Sequence, residues 1–352
     1  MNPAEAPSFR IGVTSDFYVD AKGKFEHILE TRLGNIAGLE FEPMPPQPGN
    51  IARPEALNRY DAILALGLKI RPESVQGVDR LTVIARWGVG YDMIDIAAIT
   101  EAGIALAITP NAVRRPVAEA IYTLLLALTT NLTMQDKLVR AGKWRGDLPR
   151  LGRNFKGRML GSLGCGNIAQ EMFSMAQSLG FGRLIACDPY VKPEQVAHLN
   201  VELVSMEELF RESDYLAINT FLSASTRGLV GDAQLRLMKP TAYLINTARG
   251  PIVDEPALIA ALQESRIAGA GLDVFATEPL PPDSPLRDLD NVILTPHGLA
   301  WTEEIARDNG IEACSNILSI FRGEAPGSVV NKEVLTHPAF QAKLAQYARR
   351  SS

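Results

Sequence analysis

The chain has 352 residues, of which 46% are hydrophobic and 21% charged, and its formal net charge is −5. This length indicates two domains, each able to bury a sizeable core. The mildly acidic balance gives no sign of a polybasic surface, so neither a nucleic-acid nor a membrane partner is expected.

The three cysteines are scattered and show no Cys-x-x-Cys pair, so the sequence predicts neither a disulfide framework nor a metal site. Reduced cysteines are typical of a cytoplasmic protein. The N-terminus, MNPAEAPSFR, lacks a basic stretch followed by an apolar run, and no signal peptide is expected. The apolar segment Val117–Leu132 is interrupted by polar residues and is too short to span a bilayer. We interpret it as a buried helix at a domain or subunit interface.

Short apolar runs alternate with helical stretches, which is the pattern of βαβ units around a parallel sheet. The first series of strand candidates is Arg10–Thr14, Ala62–Leu66, Leu81–Arg86 and Ile104–Ile108. The second series is Met159–Leu163, Leu184–Cys187, Tyr215–Asn219, Ala242–Asn246, Ala268–Asp273 and Val292–Leu294. Their nearly continuous apolar character indicates burial on both faces of each sheet. Predicted surface loops are Pro43–Asn50 and Pro279–Pro285.

A glycine motif, Gly164–Ala169 (GCGNIA), lies between the strand candidate that ends at Leu163 and a helical stretch. Its glycines would allow a tight turn and the approach of a pyrophosphate to the helix N-terminus, where Asn167 and Ile168 lie. Such turns also occur for purely structural reasons. Asp188 follows the next strand, 22 residues after Gly166. A carboxylate there would accept the ribose hydroxyls of NAD and repel the 2′-phosphate of NADP, so NAD binding is predicted.

Three later segments each follow a strand candidate: Asn246–Gly250 (NTARG), Gly271–Pro279 (GLDVFATEP) and Thr295–Gly298 (TPHG). Because ligands gather at the carboxyl ends of strands in an open α/β sheet, we expect Arg249, Glu278 and His297 to converge. The planar fork of Arg249 can grip a carboxylate and polarise the neighbouring carbonyl. His297 can donate a proton to a developing alkoxide, and Glu278 would orient its ring and favour the protonated form. This set predicts hydride transfer to a 2-keto acid.

These motifs, with Arg86–Asp92 (RWGVGYD) and Asp188–Tyr190 (DPY), resemble those of the D-isomer-specific 2-hydroxyacid dehydrogenases. The resemblance implies that Arg249, Glu278 and His297 are the catalytic residues. It implies cofactor contacts beyond the glycine motif and Asp188, namely from Thr220, Thr247, Ala248, Asp273 and His297. It implies substrate contacts from Trp87, Val89, Gly90, Arg249 and His297.

The resemblance also implies an α/β architecture of two Rossmann-like parallel-sheet domains. A flavodoxin-like substrate domain would comprise residues 1–109 and 298–335, and an NAD-binding Rossmann domain would be inserted at residues 110–297. Residues 336–352 would form a C-terminal tail. Family members usually dimerise through the cofactor domain, so a homodimer is expected, with Val117–Leu132 and the loop around Trp144 at its interface.

Several residues depart from the family's pattern and leave the substrate open. Trp301 stands where a small or hydroxylic residue is usual, Trp87 is also unusual, and Asn219–Phe221 replaces a common His-x-Pro. A phosphorylated substrate would need a basic pocket, whereas the two tryptophans indicate a bulkier or less polar one. The only candidates for that basic pocket are Arg86, Arg114 and Arg115.

Two other functions are compatible with this fold. One is a non-catalytic NAD-sensing corepressor, which keeps the same catalytic triad. The other is a formate dehydrogenase-like enzyme, in which a glutamine takes the position of Glu278; the charged residue here argues against it.

Overall fold

The computed structural model describes residues 8–19, 21–22 and 24–351, and the chain forms two compact units. The first unit comprises Met1–Val113 and Glu303–Ser352, and the second comprises Arg114–Thr302. Most of the N-terminal segment on which the signal-peptide expectation rests, residues 1–7, lies outside the described residues. No single described helix is long and apolar enough to cross a membrane; a pair bent by 56°, Pro110–Thr129 with Leu132–Arg140, meets that criterion by length and composition alone.

Twelve strands and thirteen α-helices are formed by the described residues. The strands are β1 (Phe9–Val13), β2 (Leu39–Pro43), β3 (Ala62–Ala65), β4 (Val83–Arg86), β5 (Ala105–Ala107), β6 (Met159–Leu163), β7 (Arg183–Cys187), β8 (Val201–Leu203), β9 (Tyr215–Ile218), β10 (Tyr243–Asn246), β11 (Gly269–Leu272) and β12 (Val292–Leu294). The helices are α1 (Asp16–Val19), α2 (Glu26–Leu33), α3 (Pro54–Leu57), α4 (Ile96–Glu101), α5 (Pro110–Thr129), α6 (Leu132–Arg140), α7 (Asn167–Ala176), α8 (Pro193–Val196), α9 (Met206–Glu212), α10 (Asp232–Leu237), α11 (Glu255–Gln263), α12 (Glu303–Phe321) and α13 (Pro338–Ser351).

The first unit is built on a five-stranded parallel sheet in the order β2-β1-β3-β4-β5. The strands predicted in this part of the chain are confirmed within two residues at each end. β2 was not predicted because its sequence, LEFEP, alternates apolar and polar residues. Such alternation is typical of an edge strand that is only partly covered.

The second unit is built on a seven-stranded parallel sheet in the order β12-β11-β10-β9-β6-β7-β8. Alternate residues of its strands point to opposite faces. In β9, Tyr215 and Ala217 pack into a core with α5 and α7, whereas Leu216 and Ile218 pack into a core with α9 and α11. Helices therefore cover both faces, as the predicted Rossmann class requires. The three-residue edge strand β8 was not predicted.

The strand order of the second unit reverses between β6 and β9, and ligands bind at such a switch point in α/β sheets. The strand ends are level there, because Leu163 of β6 pairs with both Cys187 of β7 and Ile218 of β9. Farther along the sheet, Asn246 of β10 pairs with Leu272 of β11, and Leu272 pairs with the last residue of β12. All the loops that carry predicted site residues of this unit thus leave one edge of the sheet.

Two segments differ from expectation. The predicted loop Pro43–Asn50 begins inside β2, buries Met44, and contains a turn of 3₁₀ helix over Pro48–Asn50. The segment expected to be a C-terminal tail forms helix α13. This helix buries Phe340, Leu344 and Tyr347 in the core of the first unit.

Replacing Phe340 with alanine should destabilise the first unit. The ring is fully buried, and truncation of a buried phenylalanine typically costs about 3–5 kcal/mol. Chemical denaturation should show this loss, whereas Gln346→Ala on the exposed side of α13 should change the free energy of unfolding by less than about 0.5 kcal/mol. Equal stability of both variants would show that α13 contributes no core.

Candidate functional site

Two glycines of the loop after β6, Gly164 and Gly166, differ in what their missing side chain makes room for. Gly164 has a φ of 94°, donates its N–H to the carbonyl oxygen of Cys187 at 2.9 Å, and is needed because a Cβ would lie 2.8 Å from the backbone of Asn219. Gly166, which precedes α7, has no protein atom within 4 Å of an added Cβ. Protein packing therefore explains the first glycine and leaves open space at the second.

The open space at Gly166 adjoins the N-terminus of the ten-residue helix α7. Among the described residues, no acceptor contacts the N–H groups of Asn167 and Ile168. Unpaired N–H groups at a helix N-terminus favour an anion, and a side chain at Gly166 would occupy that space. This geometry fits the pyrophosphate of a dinucleotide.

Asp188 ties the end of β7 to the glycine loop. Its Oδ2 accepts the N–H of Cys165 at 2.8 Å, and its Oδ1 accepts the N–H groups of Tyr190 at 2.9 Å and Val191 at 3.3 Å. A carboxylate can accept about four hydrogen bonds. The carboxylate thus organises the loop and retains capacity to accept a ribose hydroxyl.

Arg249 is presented by a turn that the buried side chain of Asn246 organises. Asn246 Nδ2 donates to the carbonyl oxygen of Arg249 at 3.0 Å, and its Oδ1 accepts the N–H of Ala248 at 3.1 Å. The next residue, Gly250, packs so tightly that an added Cβ would lie 1.9 Å from the carbonyl carbon of Phe275. Only glycine allows the loops after β10 and β11 to approach in this way.

His297 lies in a turn that a buried carboxylate holds together. Its φ is 50°, a left-handed conformation that residues other than glycine seldom adopt. Asp273, 4% exposed at the end of β11, accepts the hydroxyl of Thr295 at 2.6 Å and the N–H groups of Gly298 at 3.1 Å and Leu299 at 3.2 Å. The hydrogen bonds fall on both sides of His297 and so fix its position.

Glu278 contacts His297 directly, as the sequence predicted it would. Nδ1 of the ring lies 2.8 Å from Oε2 of Glu278, and Oε1 of the same carboxylate accepts the N–H of Phe275 at 3.0 Å. Both carboxylate oxygens are therefore occupied, which fixes the side chain. The imidazole and the carboxylate remain 45% and 36% exposed, so the pair can be reached by a ligand.

The Glu278 carboxyl is held in its ionised form. Burial raises its pKa, which favours the neutral acid. The hydrogen bond and charge of His297, with smaller contributions from the N–H of Phe275 and from Arg249, outweigh burial and leave this pKa below its ordinary value. The negatively charged carboxylate of Glu278 therefore lies beside Nδ1 of the ring.

The remaining predicted cofactor residues of this unit follow β9 and β10. Thr220 lies beside Gly164, since its N would be 2.8 Å from a Cβ there. The hydroxyl oxygen of Thr247 is buried and has no hydrogen-bond partner among the described residues. A buried hydroxyl without a partner is costly. A polar group of a bound cofactor would satisfy it.

The other predicted substrate residues lie in the first unit. Trp87 is 5% exposed, and its ring centroid lies 5.2 Å from that of Phe17 and 5.1 Å from that of Phe25. The side chain of Trp87 is therefore part of the core of this unit. Val89 and Gly90 are half-buried, and their N–H groups donate to no acceptor among the described residues.

Asn246, Gly250 and Thr295 lie in the strand-end segments identified from the sequence, but no positioning role was predicted for them. The role of Asn246 could have been predicted, because a polar residue at the buried end of a strand must form hydrogen bonds with groups nearby. The contacts of Gly250 and Thr295 join loops that are distant in sequence. No local pattern could have indicated them.

Comparison with known proteins places these features in context. Residues 122–298 match the family described as D-isomer specific 2-hydroxyacid dehydrogenase, NAD binding domain. Over 293 residues the chain is 37% identical to a glyoxylate reductase of Korarchaeum cryptofilum, which amounts to 82% of this chain and 88% of that relative. Over 271 residues it is 38% identical to a D-3-phosphoglycerate dehydrogenase of Methanocaldococcus jannaschii, 76% of this chain and 51% of that relative.

A solved structure has a similar fold. The D-lactate dehydrogenase of Aquifex aeolicus, in complex with NAD and lactic acid, aligns with a TM-score of 0.78 and 25% sequence identity. The alignment covers 91% of this chain and 99% of that one.

Two glycine substitutions should separate ligand binding from folding. Gly166→Ala should leave thermal stability unchanged, because the Cβ meets no protein atom, and should weaken NADH binding by about tenfold or more, since the methyl group enters the pyrophosphate space. Gly250→Ala should destabilise the fold, because its Cβ would overlap Phe275. Fluorescence titration with NADH and thermal melting measure both effects. If Gly166→Ala bound NADH as tightly as the wild type, the pyrophosphate would not bind at this loop.

Proposed function

Because the chain belongs to the D-isomer specific 2-hydroxyacid dehydrogenase family, we propose that it reduces small 2-keto acids through Arg249, Glu278 and His297. It is an NAD-dependent oxidoreductase that acts on CH–OH groups. The observation that carries the proposal is the 2.8 Å contact between His297 and Glu278 at the strand ends of an NAD-binding domain.

His297 is the proton donor in this proposal. NADH, when bound, supplies the hydride that reduces the carbonyl carbon. The protonated ring transfers its proton to the developing alkoxide oxygen, and in the oxidation direction the neutral ring takes that proton back. The Nδ1 contact with Glu278 leaves Nε2 as the atom that exchanges the proton with substrate.

Arg249 binds the substrate carboxylate and polarises the adjacent carbonyl. The guanidinium fork matches a carboxylate geometrically and stabilises negative charge that develops on the neighbouring oxygen. The family resemblance also assigns the N–H groups of Val89 and Gly90 to the substrate carboxylate, and these groups have no acceptor among the described residues. Trp87 supports this loop through its packing.

The cofactor would be held by the glycine loop and by the strand ends beside it. The pyrophosphate would accept the N–H groups of Asn167 and Ile168, and Asp188 would accept the ribose hydroxyls. Asp188 repels a 2′-phosphate, so NAD is preferred over NADP. Thr247 would bond a polar group of the cofactor, which the buried hydroxyl without a partner supports.

The arrangement of the arginines supports a substrate without a phosphate group. Arg86 donates to two carbonyl oxygens of its own loop. Arg114 lies 3.5 Å from Glu171, and Arg115 lies 2.6 Å from Glu119 and 3.4 Å from Glu171. A phosphate would have to displace these partners. We therefore assign small 2-keto acids without a phosphate group, such as glyoxylate and hydroxypyruvate, as the substrate class.

The proposal includes a homodimer formed through the second unit. Seven large apolar side chains of this unit are 48–87% exposed, and five of them lie in or after α5 and α6: Leu126, Leu132, Val139, Trp144 and Leu151. The other two, Tyr190 and Phe221, follow β7 and β9. The first group includes Leu126, Leu132 and Trp144 of the segments where the sequence predicts the interface. A second copy of the chain would cover them. The cytoplasmic location remains a prediction.

Turnover of 2-keto acids tests the function. We expect the protein to oxidise NADH in the presence of glyoxylate or hydroxypyruvate, and His297→Ala to lower kcat by a factor on the order of 10²–10⁴. His198→Ala, an exposed histidine of the same unit, is the matched control and should retain full activity. If the wild type binds NADH but reduces none of a panel that includes apolar and phosphorylated 2-keto acids, the chain is an NAD sensor instead.

A further inference from the structure

Arg86 is the last residue of β4, and its guanidinium contacts the loop that follows. Nε donates to the carbonyl oxygen of Gly90 at 2.8 Å, and Nη1 donates to the carbonyl oxygen of Trp87. The same Nη1 lies 3.4 Å from the carbonyl oxygen of Ala65, at the end of β3. One planar side chain therefore joins both ends of the loop Trp87–Gly90 to the neighbouring strand.

The middle of this loop is fixed by other groups. Gly88 has a φ of 116°, which only glycine adopts easily. Its N–H donates to the hydroxyl of Thr109 at 2.8 Å, and its carbonyl oxygen accepts the N–H of Thr109 at 3.1 Å. The Thr109 hydroxyl in turn donates to Oδ1 of Asn309 at 2.5 Å.

The pattern of donors and acceptors in the loop is one-sided. The carbonyl oxygens of Trp87, Gly88 and Gly90 all have donors within the unit. The N–H groups of Val89 and Gly90 have no acceptor among the described residues. Two successive backbone N–H groups without a protein acceptor can both bond to one anion.

We propose that Arg86 is a positioning residue for substrate affinity: by holding the carbonyls of Trp87 and Gly90, it keeps the N–H groups at Val89 and Gly90 directed toward the substrate carboxylate. The inference rests on the proposed function, because it concerns the same 2-keto acid. Arg86 acts through the loop, and its charge does not need to reach the substrate.

The variant Arg86→Lys distinguishes a role of the guanidinium in holding the loop from a role of the positive charge alone. Lysine keeps the positive charge, but a single ammonium on a flexible stem cannot reproduce the fork that joins two carbonyls. We expect KM for glyoxylate to rise about tenfold or more, with kcat changed by less than about threefold. The dissociation constant for NADH and the melting temperature should be unchanged. Arg71→Lys, at an exposed arginine of the same unit, should leave all four quantities as they are.

A second measurement does not depend on turnover. Oxamate, an unreactive analogue of a 2-keto acid, is added to the NADH-saturated protein, and the backbone amide resonances are followed by NMR. In the wild type the amides of Val89 and Gly90 should shift, and Arg86→Lys should require about tenfold more oxamate for the same shift.

The outcomes are distinct. Unchanged KM and oxamate binding in Arg86→Lys would overturn the inference, as would a wild type in which oxamate shifts neither Val89 nor Gly90. If Arg86→Lys also lowered the melting temperature and the affinity for NADH, Arg86 would have a general structural role instead. Another outcome is that the wild type reduces no 2-keto acid while oxamate still shifts its Val89 and Gly90 amides and Arg86→Lys still needs about tenfold more oxamate. In that case the proposed function fails and the role of Arg86 stands.

Discussion

The proposed catalytic arrangement depends on one buried carboxylate, that of Asp273. The left-handed backbone of His297 costs about 1–2 kcal/mol in a residue other than glycine. A hydrogen bond to a charged group contributes about 1.5–3 kcal/mol, and Asp273 accepts three that flank His297. These bonds are sufficient to hold the imidazole where its own backbone preference would not. The family resemblance assigns Asp273 to the cofactor, whereas its contacts here are those of a residue that positions His297, the proposed proton donor.

The loops that carry the site are interlocked, so a change in one should be transmitted to the others. The N–H of Asp273 donates to the carbonyl oxygen of Asn246 at 3.0 Å, and Asn246 also shapes the turn of Arg249. Gly250 packs directly against Phe275, whose N–H holds Glu278. The site is therefore rigid because backbone groups of three strand ends bond to one another. The glycine loop differs, since Gly166 packs against no protein atom and leaves its space to a ligand.

Features that depend on local pattern could be predicted from the sequence. The buried central strands appear as apolar runs, and the candidate residues follow them because parallel strands end at one edge. The edge strands β2 and β8 were missed because their exposed side chains break the apolar run. The packing of α13 was missed because Phe340 joins a core that also contains strand residues more than 200 positions earlier in the chain, which no local pattern reveals. The same holds for Thr295 and Gly250, whose roles come from contacts between loops.

The pH dependence of both reaction directions tests the central pairing of Glu278 with His297 most directly. Reduction requires a protonated ring and should fall as pH rises, whereas oxidation requires a neutral ring and should fall as pH drops. Because the pKa of Glu278 lies below its ordinary value, its carboxylate carries a negative charge over this range. Removing that charge with Glu278→Gln should therefore move both profiles of kcat/KM toward lower pH, with NADH affinity unchanged. Profiles of wild type and Glu278→Gln that coincide in both directions would contradict the account.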